Sequence, residues 1–366
     1  MESIKPQTGL LVGMVVLIAA ISSGSPLSKK PKADAAPDQK GFFPGDYSNK
    51  GVIGRSLPGT WRPFNDESPW NTPIEDGART HPDSEKIIAF AASIAKSLRI
   101  ARSYDIPVWV VNSKNVTLVK VRSERIFDAW DRNHDGVSDV GAPIATEMWG
   151  EATGDGHLSI VDPFKMIAWE FSRFQPAGDG GMPSCTTFNI WDLRGPGVAD
   201  SGGMRWLTRG GRGSGFPEIA GLLRPEELRE SEIRHALVFT FSKNRRSDDD
   251  RHIFMSPAAR SDGKHIGSQY PIEGMRFQLN PALTEKDFDL WGLNREGKAV
   301  ARALQKYGMF DGDNGGAMKL QVQLLAPSEE ENVKAWEALF PGFYANVEKI
   351  PTNQFRVVYT SSPVIK

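Results

Sequence analysis

Along most of the chain, apolar and polar residues alternate one for one. "IPVWVV" and "NVTLVKVR" (106–122), "HLSIVD" (157–162), "IAWEFS" (167–172), "RHALVFTFS" (234–242), "MRFQLNP" (275–281), "AMKLQVQLL" (317–325) and "FRVVYTS" (355–361) carry this period of two and predict strands. Helical spacing is rarer. It predicts helices in "HPDSEKIIAFAASIAKSL" (81–98), in "REGKAVARALQKYG" (295–308), closed by Gly308, and in "SEEENVKAWEALF" (328–340), whose acidic first turn suits the helix dipole. Strands outnumber helices and do not alternate strictly with them. The expected fold is therefore mainly β: an antiparallel two-sheet sandwich or jelly roll with a few peripheral helices.

The unbroken apolar run "GLLVGMVVLIAAIS" (9–22) breaks the alternation, with Lys5 before it and "SSGS" after it. It is short for a membrane span and matches the core of a signal peptide, so residues 1–24 read as a signal peptide or an uncleaved anchor. The polar stretch that follows reads as a disordered linker over 25–45, and 46–366 as one β-rich domain. A secreted or periplasmic location follows; the alternative is a membrane-anchored protein with its domain outside the cytoplasm. Any membrane contact is expected only through that first segment.

Composition adds limits. Gly 36 and Pro 25 suit a turn-rich sheet protein, and a net charge of −1 gives no footprint for nucleic acid. Cys185 is the single cysteine, so there is neither an internal disulfide nor a thiolate metal site. "GGRGSG" (210–215) lacks the Lys-Ser or Lys-Thr of a phosphate loop, and Ser214 lacks the frame of a nucleophile elbow. The ten tryptophans suit sugar stacking, but they suit a core better.

Two stretches carry candidate chemistry. In "DRNHDGVSD" (131–139), Asp131, Asn133 and Asp135 fall at alternate positions, Gly136 follows, and Asp139 comes later. With the Val137 carbonyl, this is the oxygen-rich spacing of a calcium loop, and a structural calcium is expected there. Ala142 occupies the twelfth position in place of the usual glutamate; Glu147 could substitute. The alternative is an acidic Asx-turn loop.

The second stretch is "EATGDGHLSIVDP" (151–163) with the strand after it. If the two strands pair as a hairpin, Ser159 lies opposite Glu170 and His157 sits on the diagonal, about 7–8 Å away or less. Trp169 and Phe171 take the core face, so Glu170 points the other way, into a notch lined by Ala168 and Ser172. Asp155, His157 and Glu170 are the candidate catalytic residues; a solvated outer face is the plainer alternative. His235 reads either as a cleft histidine or as a satisfied one at the rim of an apolar face.

Taken together, "SPWN" (68–71), "GDGHLSIVD" (154–162), "WEF" (169–171), "SGFPEIAGLLRPEEL" with "IRHAL" (214–237) and "KYGMFDGDNGG" (306–316) resemble a broad group of exported bacterial proteins without a settled activity. The resemblance implies no reaction. It singles out His157, Glu170, His235 and Asp313 as pattern positions. Ser231 stands where that group has glycine, and Gly156 where arginine is common.

The leading expectation is an exported carbohydrate-active enzyme, a glycoside hydrolase with a carboxylate pair on a sheet face. Glu170 would serve as proton donor or nucleophile, Asp155 as its partner and His157 as modulator. His235, Arg205, Tyr307 and Asp313 would bind the substrate, a polysaccharide or oligosaccharide. A polysaccharide lyase using His157, His235, Tyr307 and Arg205 is the first alternative. A non-catalytic sugar-binding or cell-surface module is the second.

Overall fold

The computed structural model describes residues 49–126, 130–178, 181–199 and 211–365. The apolar run, the linker and Arg205 lie outside the described residues. No described helix is long and apolar enough to cross a membrane.

Two large sheets carry the fold. The first runs in the order β1 (Val52–Gly54), β3 (Ile106–Val111), β5 (Leu158–Asp162), β6 (Ile167–Ser172), β7 (Ser184–Asp192) and β4 (Arg122–Arg125), with β13 (Gln323–Leu324) beside β3. The second runs β14 (Phe355–Val358), β10 (Arg276–Leu279), β11 (Met309–Asp313), β8 (Leu237–Thr240), β12 (Lys319–Leu320) and β2 (Arg99–Ile100). A small pair joins β9 (Ile253–Phe254) to β15 (Val364–Ile365). Among the described residues strand exceeds helix, and the fold is mainly β with sheets that do not close.

The expectation of purely antiparallel sheets is corrected. β3 pairs with β5, β4 with β7, β8 with β11 and β2 with β12 in parallel, so both sheets are mixed. Parallel neighbours need a return crossing of the chain, and long segments such as 112–157 supply it.

Three apolar layers account for the alternation. Val108, Val110, Val161, Ala168 and Trp191 of the first sheet share one cluster with Val238 and Phe310 of the second. Trp70 fills it, its ring 4.8 Å from that of Phe216 and 5.0 Å from that of Phe310. The opposite face of the first sheet buries Trp109, Leu158, Ile160, Trp169 and Phe171. The opposite face of the second buries Leu237, Phe239, Phe277 and Met309 beneath helical residues such as Ile87, Val300 and Trp336. Each sheet is therefore covered on both sides.

The helices are α1 (Ser84–Ile94), α2 (Pro225–Glu230), α3 (Glu285–Leu290), α4 (Arg295–Lys306), α5 (Glu329–Leu339) and α6 (Phe343–Val347). The three expected helices form, two of them with side-chain caps: Asn294 Oδ1 accepts from Gly297 N–H and Ser328 Oγ from Glu331 N–H. α1 stops at Ile94, short of the expected 98, because the chain beyond it extends to pair as β2. Tertiary pairing overrides helix propensity there. Ser231 closes α2 at φ 58°, a left-handed conformation that glycine adopts without the steric cost borne by serine.

Candidate functional site

The β5–β6 hairpin has the expected register, with Ser159 opposite Glu170. Its surroundings differ from expectation. Every residue of β5 is buried, and Glu170 is 0% exposed. The face carrying Glu170 is therefore neither a solvated outer face nor a substrate notch; it is sealed between the sheets. Glu170 Oε2 accepts from the Glu218 N–H and Oε1 from the Ile219 N–H, each at 2.8 Å. Burial, reinforced by the neighbouring Glu218 carboxylate, pushes the Glu170 carboxyl upward. Glu170 acts as a clamp on the 217–219 turn, and its assignment as proton donor or nucleophile is withdrawn.

The turn that Glu170 clamps carries a second buried acid. The Glu218 side chain is buried too, and its Oε1 lies 3.1 Å from His157 Nδ1, at ion-pair distance but off the line of a good hydrogen bond. Buried Arg212 approaches the same carboxylate at 3.7 Å and donates through Nη2 to the Glu218 carbonyl. Gly211 makes room, since a Cβ there would stand 1.6 Å from Glu218 Oε1. Within the described part of the glycine-rich stretch, 211–215, Gly211 and Gly213 bring backbone against carboxylates.

Burial alone would lower the His157 pKa, but the Glu218 carboxylate outweighs it and raises the value to about 9. The same ion pair holds Glu218 below its usual range despite burial. His157 Nε2 looks outward, 3.9 Å from Oδ2 of Asp155, whose side chain is 55% exposed. Because folding raises this pKa, the imidazolium's contribution to stability is complete below about pH 6.5 and vanishes as pH rises through about 9. Two carboxyls pushed upward, those of Glu170 and Asp313, act in the same direction. Denaturant midpoints should fall across that window, the histidine's share being on the order of 3 kcal/mol. His157→Gln should lose that share. A wild-type midpoint that holds or rises over the window would contradict the assignment.

His157 and Asp155 open onto a polar cleft of about 700 Å³ and onto a neighbouring chamber of about 320 Å³; both spaces are lined by Asp155, His157, Asp313 and Asn314. Asp313 ends β11 of the second sheet, so the cleft lies where the two sheets' ends meet. Arg125 and Arg173 line it from the first sheet's side, and Arg260 and Lys319 from the second. Tyr104 is the one aromatic residue among its described lining residues. It is 45% exposed and held at φ 59°. A larger groove of about 770 Å³, lined by Pro69, Ile74, Phe310 and Tyr359 among others, contains none of these groups.

Behind Asp313 lies an acidic group that sequence reasoning missed. Asp262, Glu273 and Asp313 each place one carboxylate oxygen within 4.8 Å of the others. Glu273 and Asp311 are fully buried, and Asn244 Nδ2 donates to Glu273 Oε1 at 3.2 Å and to Asp311 Oδ1 at 3.3 Å. Burial and the charge of Asp262 raise Asp313 to about 7, and burial carries Glu273 and Asp311 well above the usual carboxylate range. A signal was present: two acids in the otherwise apolar strand run "MFDGD" are out of place unless they serve something.

The remaining candidates fall elsewhere. His235 is 4% exposed, with Nε2 2.8 Å from Glu227 Oε1 and Nδ1 2.9 Å from the Ala236 carbonyl. Glu227 also binds Arg224 at 2.8 Å, and that guanidinium together with the His235 bond outweighs burial and holds it down at about 2. His235 is thus a satisfied interior residue, not a cleft histidine. Tyr307 is buried in the intersheet cluster, its carbonyl accepting from Arg276 Nε, so it lies away from the cleft as well.

In the 131–139 loop, Asp131 accepts from the Asp135 and Gly136 N–H groups, Asp135 from Val137 N–H, and Asp139 from Arg132 N–H. These are the bonds of the Asx-turn alternative. The Val137 N–H, foremost, holds exposed Asp135 below its ordinary pKa. Cys185 is buried, and burial pushes its thiol up to about 12, which leaves it inert. No protein-family model matches the chain, and neither does any curated protein or solved structure.

Proposed function

We propose that the cleft is the active site of an exported hydrolase acting on a polar, polyhydroxylated substrate, an oligosaccharide or polysaccharide. One observation carries the reading: an imidazolium kept protonated by a carboxylate that substrate cannot reach opens onto the same polar cleft as a carboxylate from the other sheet. His157 would give its Nε2 proton to the leaving glycosidic oxygen. Asp155 sits beside that nitrogen and supports the charge. Asp313 faces the pair and supplies the carboxylate that activates the attacking water, whose oxygen joins the anomeric carbon as the bond to the leaving oxygen breaks. Tyr104 offers the sugar a stacking face.

A second reading has its own support. Arg125, Arg173, Arg260 and Lys319 around the cleft suit an acidic sugar, whose carboxylate an eliminating lyase must neutralise. A purely sugar-binding module is less favoured, because Trp61, Trp70, Trp109, Trp130, Trp169, Trp191 and Trp336 are buried and Tyr104 is the one aromatic residue among the cleft's described lining residues.

The test is a panel of neutral and uronate-containing polysaccharides incubated with the purified protein. New reducing ends with saturated products are the expected result. Unsaturated products would replace the hydrolase by the lyase. Binding without any product would leave only the module.

A further inference from the structure

We propose that Asp262, Glu273 and Asp313 form a binding site for one divalent, oxygen-preferring cation at the inner end of the cleft. The assignment stands on geometry; it shares Asp313 with the hydrolase reading but does not need that reading to hold.

Convergence comes first. One oxygen from each side chain lies within 4.8 Å of the others, although Asp262 and Glu273 come from the 255–275 connection and Asp313 from the end of β11. Such closeness among like charges needs a reason. Asp262 N–H donates to Glu273 Oε2 at 3.1 Å, and Gly213 N–H donates to Asp313. A Cβ on Gly213 would stand 2.7 Å from Oδ1 of both Asp262 and Asp313, so the two oxygens close on a position that only glycine leaves open.

The second observation is independent of the cluster's own bonds. Asp311 is 0% exposed, and its carboxylate shares the Asn244 Nδ2 donor with that of Glu273. Its Oδ2 has no hydrogen-bond partner, and neither has Oδ1 of Asn244, also 0% exposed. Two orphaned acceptors buried together beside three converging carboxylates form an environment short of positive charge. Arg260 and Arg212 are the guanidiniums that act on the group. Arg212 is also the partner of Glu218, so these two charges do not balance the carboxylates, and a dication would supply what is missing.

The donor set selects the ion. All candidate ligands are oxygens, with neither sulfur nor imidazole among them, which favours calcium, magnesium or manganese over zinc or copper. Access is open from the cleft, since Asp262 is exposed and Asp313 half-buried.

The experiment uses the full chain, stripped with a chelator and titrated with Ca²⁺, Mg²⁺ or Mn²⁺ alone by calorimetry and thermal melting, without substrate. One equivalent of at least one ion is expected to bind and to raise the melting temperature. Asp262→Asn, at an exposed position, should weaken that affinity roughly tenfold or more. Should that variant fold poorly, Asp313→Asn gives the same readout. Asp135→Asn, in the 131–139 loop, should leave affinity unchanged. No uptake of any of the three ions, uptake indifferent to the cluster variants, or uptake abolished by Asp135→Asn would each overturn the assignment. Because no turnover is measured, the outcome is separate from that of the polysaccharide panel.

Discussion

Glu170→Ala is expected to destabilise the protein by roughly 3–5 kcal/mol, one of the largest losses any single substitution here should cause. The carboxylate is the acceptor for two backbone N–H groups, those of Glu218 and Ile219, in an interior that water does not reach. Alanine leaves both donors without acceptors, at about 1–3 kcal/mol each, and opens a cavity as well. Above about pH 8, where Glu170 is ionised, relief from its repulsion with Glu218 offsets part of the loss. Glu170→Gln should cost less, about 1–2 kcal/mol, since one acceptor oxygen remains. Denaturant midpoints of the two variants decide the matter. An alanine variant as stable as wild type would show that the clamp on the 217–219 turn is not what Glu170 does. Any loss of activity should follow the loss of structure, because Glu170 cannot touch a ligand in the cleft.

This reversal shows how much of the site could be read from sequence. Period-two alternation placed Trp169 and Phe171 on one face and Glu170 on the other, and the register Ser159↔Glu170 followed from the short turn. Alternation tells which side a residue takes. It says nothing of what covers that side. A second sheet and the 217–219 turn cover it here, and neither is adjacent in the chain. The pairing of His157 with Glu218 spans a sequence distance that no local pattern encodes, so Glu218 stood in view within "PEIAG" with no assigned role.

The fold shows the same division. The helices were legible because their caps and periodicity are local. The longest strand, β7, was not expected: adjacent Thr186 and Thr187 break the alternation, and glycines and prolines precede it. "NVTLVKVR" alternates well yet yields only a single bridge, Val119 to Ala142, before β4 begins, with Leu118 49% exposed. "AMKLQVQLL" reads as one strand and is two, because the chain passes from the second sheet at β12 to the first at β13. Parallel pairing and sheet exchange are decided by crossovers, and those lie in stretches with little periodicity of their own.

His157→Gln is expected to lower turnover on the substrate found by the polysaccharide panel by about 10²–10⁴-fold, the usual worth of a positioned proton donor. Loss of the ion pair to Glu218 also weakens the fold, so the loss of rate alone does not separate chemistry from structure. The pH dependence does. A donor whose pKa stands at about 9 keeps its proton through neutral pH, so wild-type kcat should rise as Asp313 ionises at about 7 and fall as pH rises through about 9. Asp155→Asn changes an exposed side chain and should leave stability within about 0.5 kcal/mol. Yet the Asp155 charge helps to raise the His157 pKa, so its loss should move the alkaline limb toward lower pH with little change in KM. Residues that merely supported the fold would not shift that limb. An alkaline limb unmoved in Asp155→Asn, or a His157→Gln protein that remains folded and turns over at the wild-type rate, would remove His157 from the chemistry.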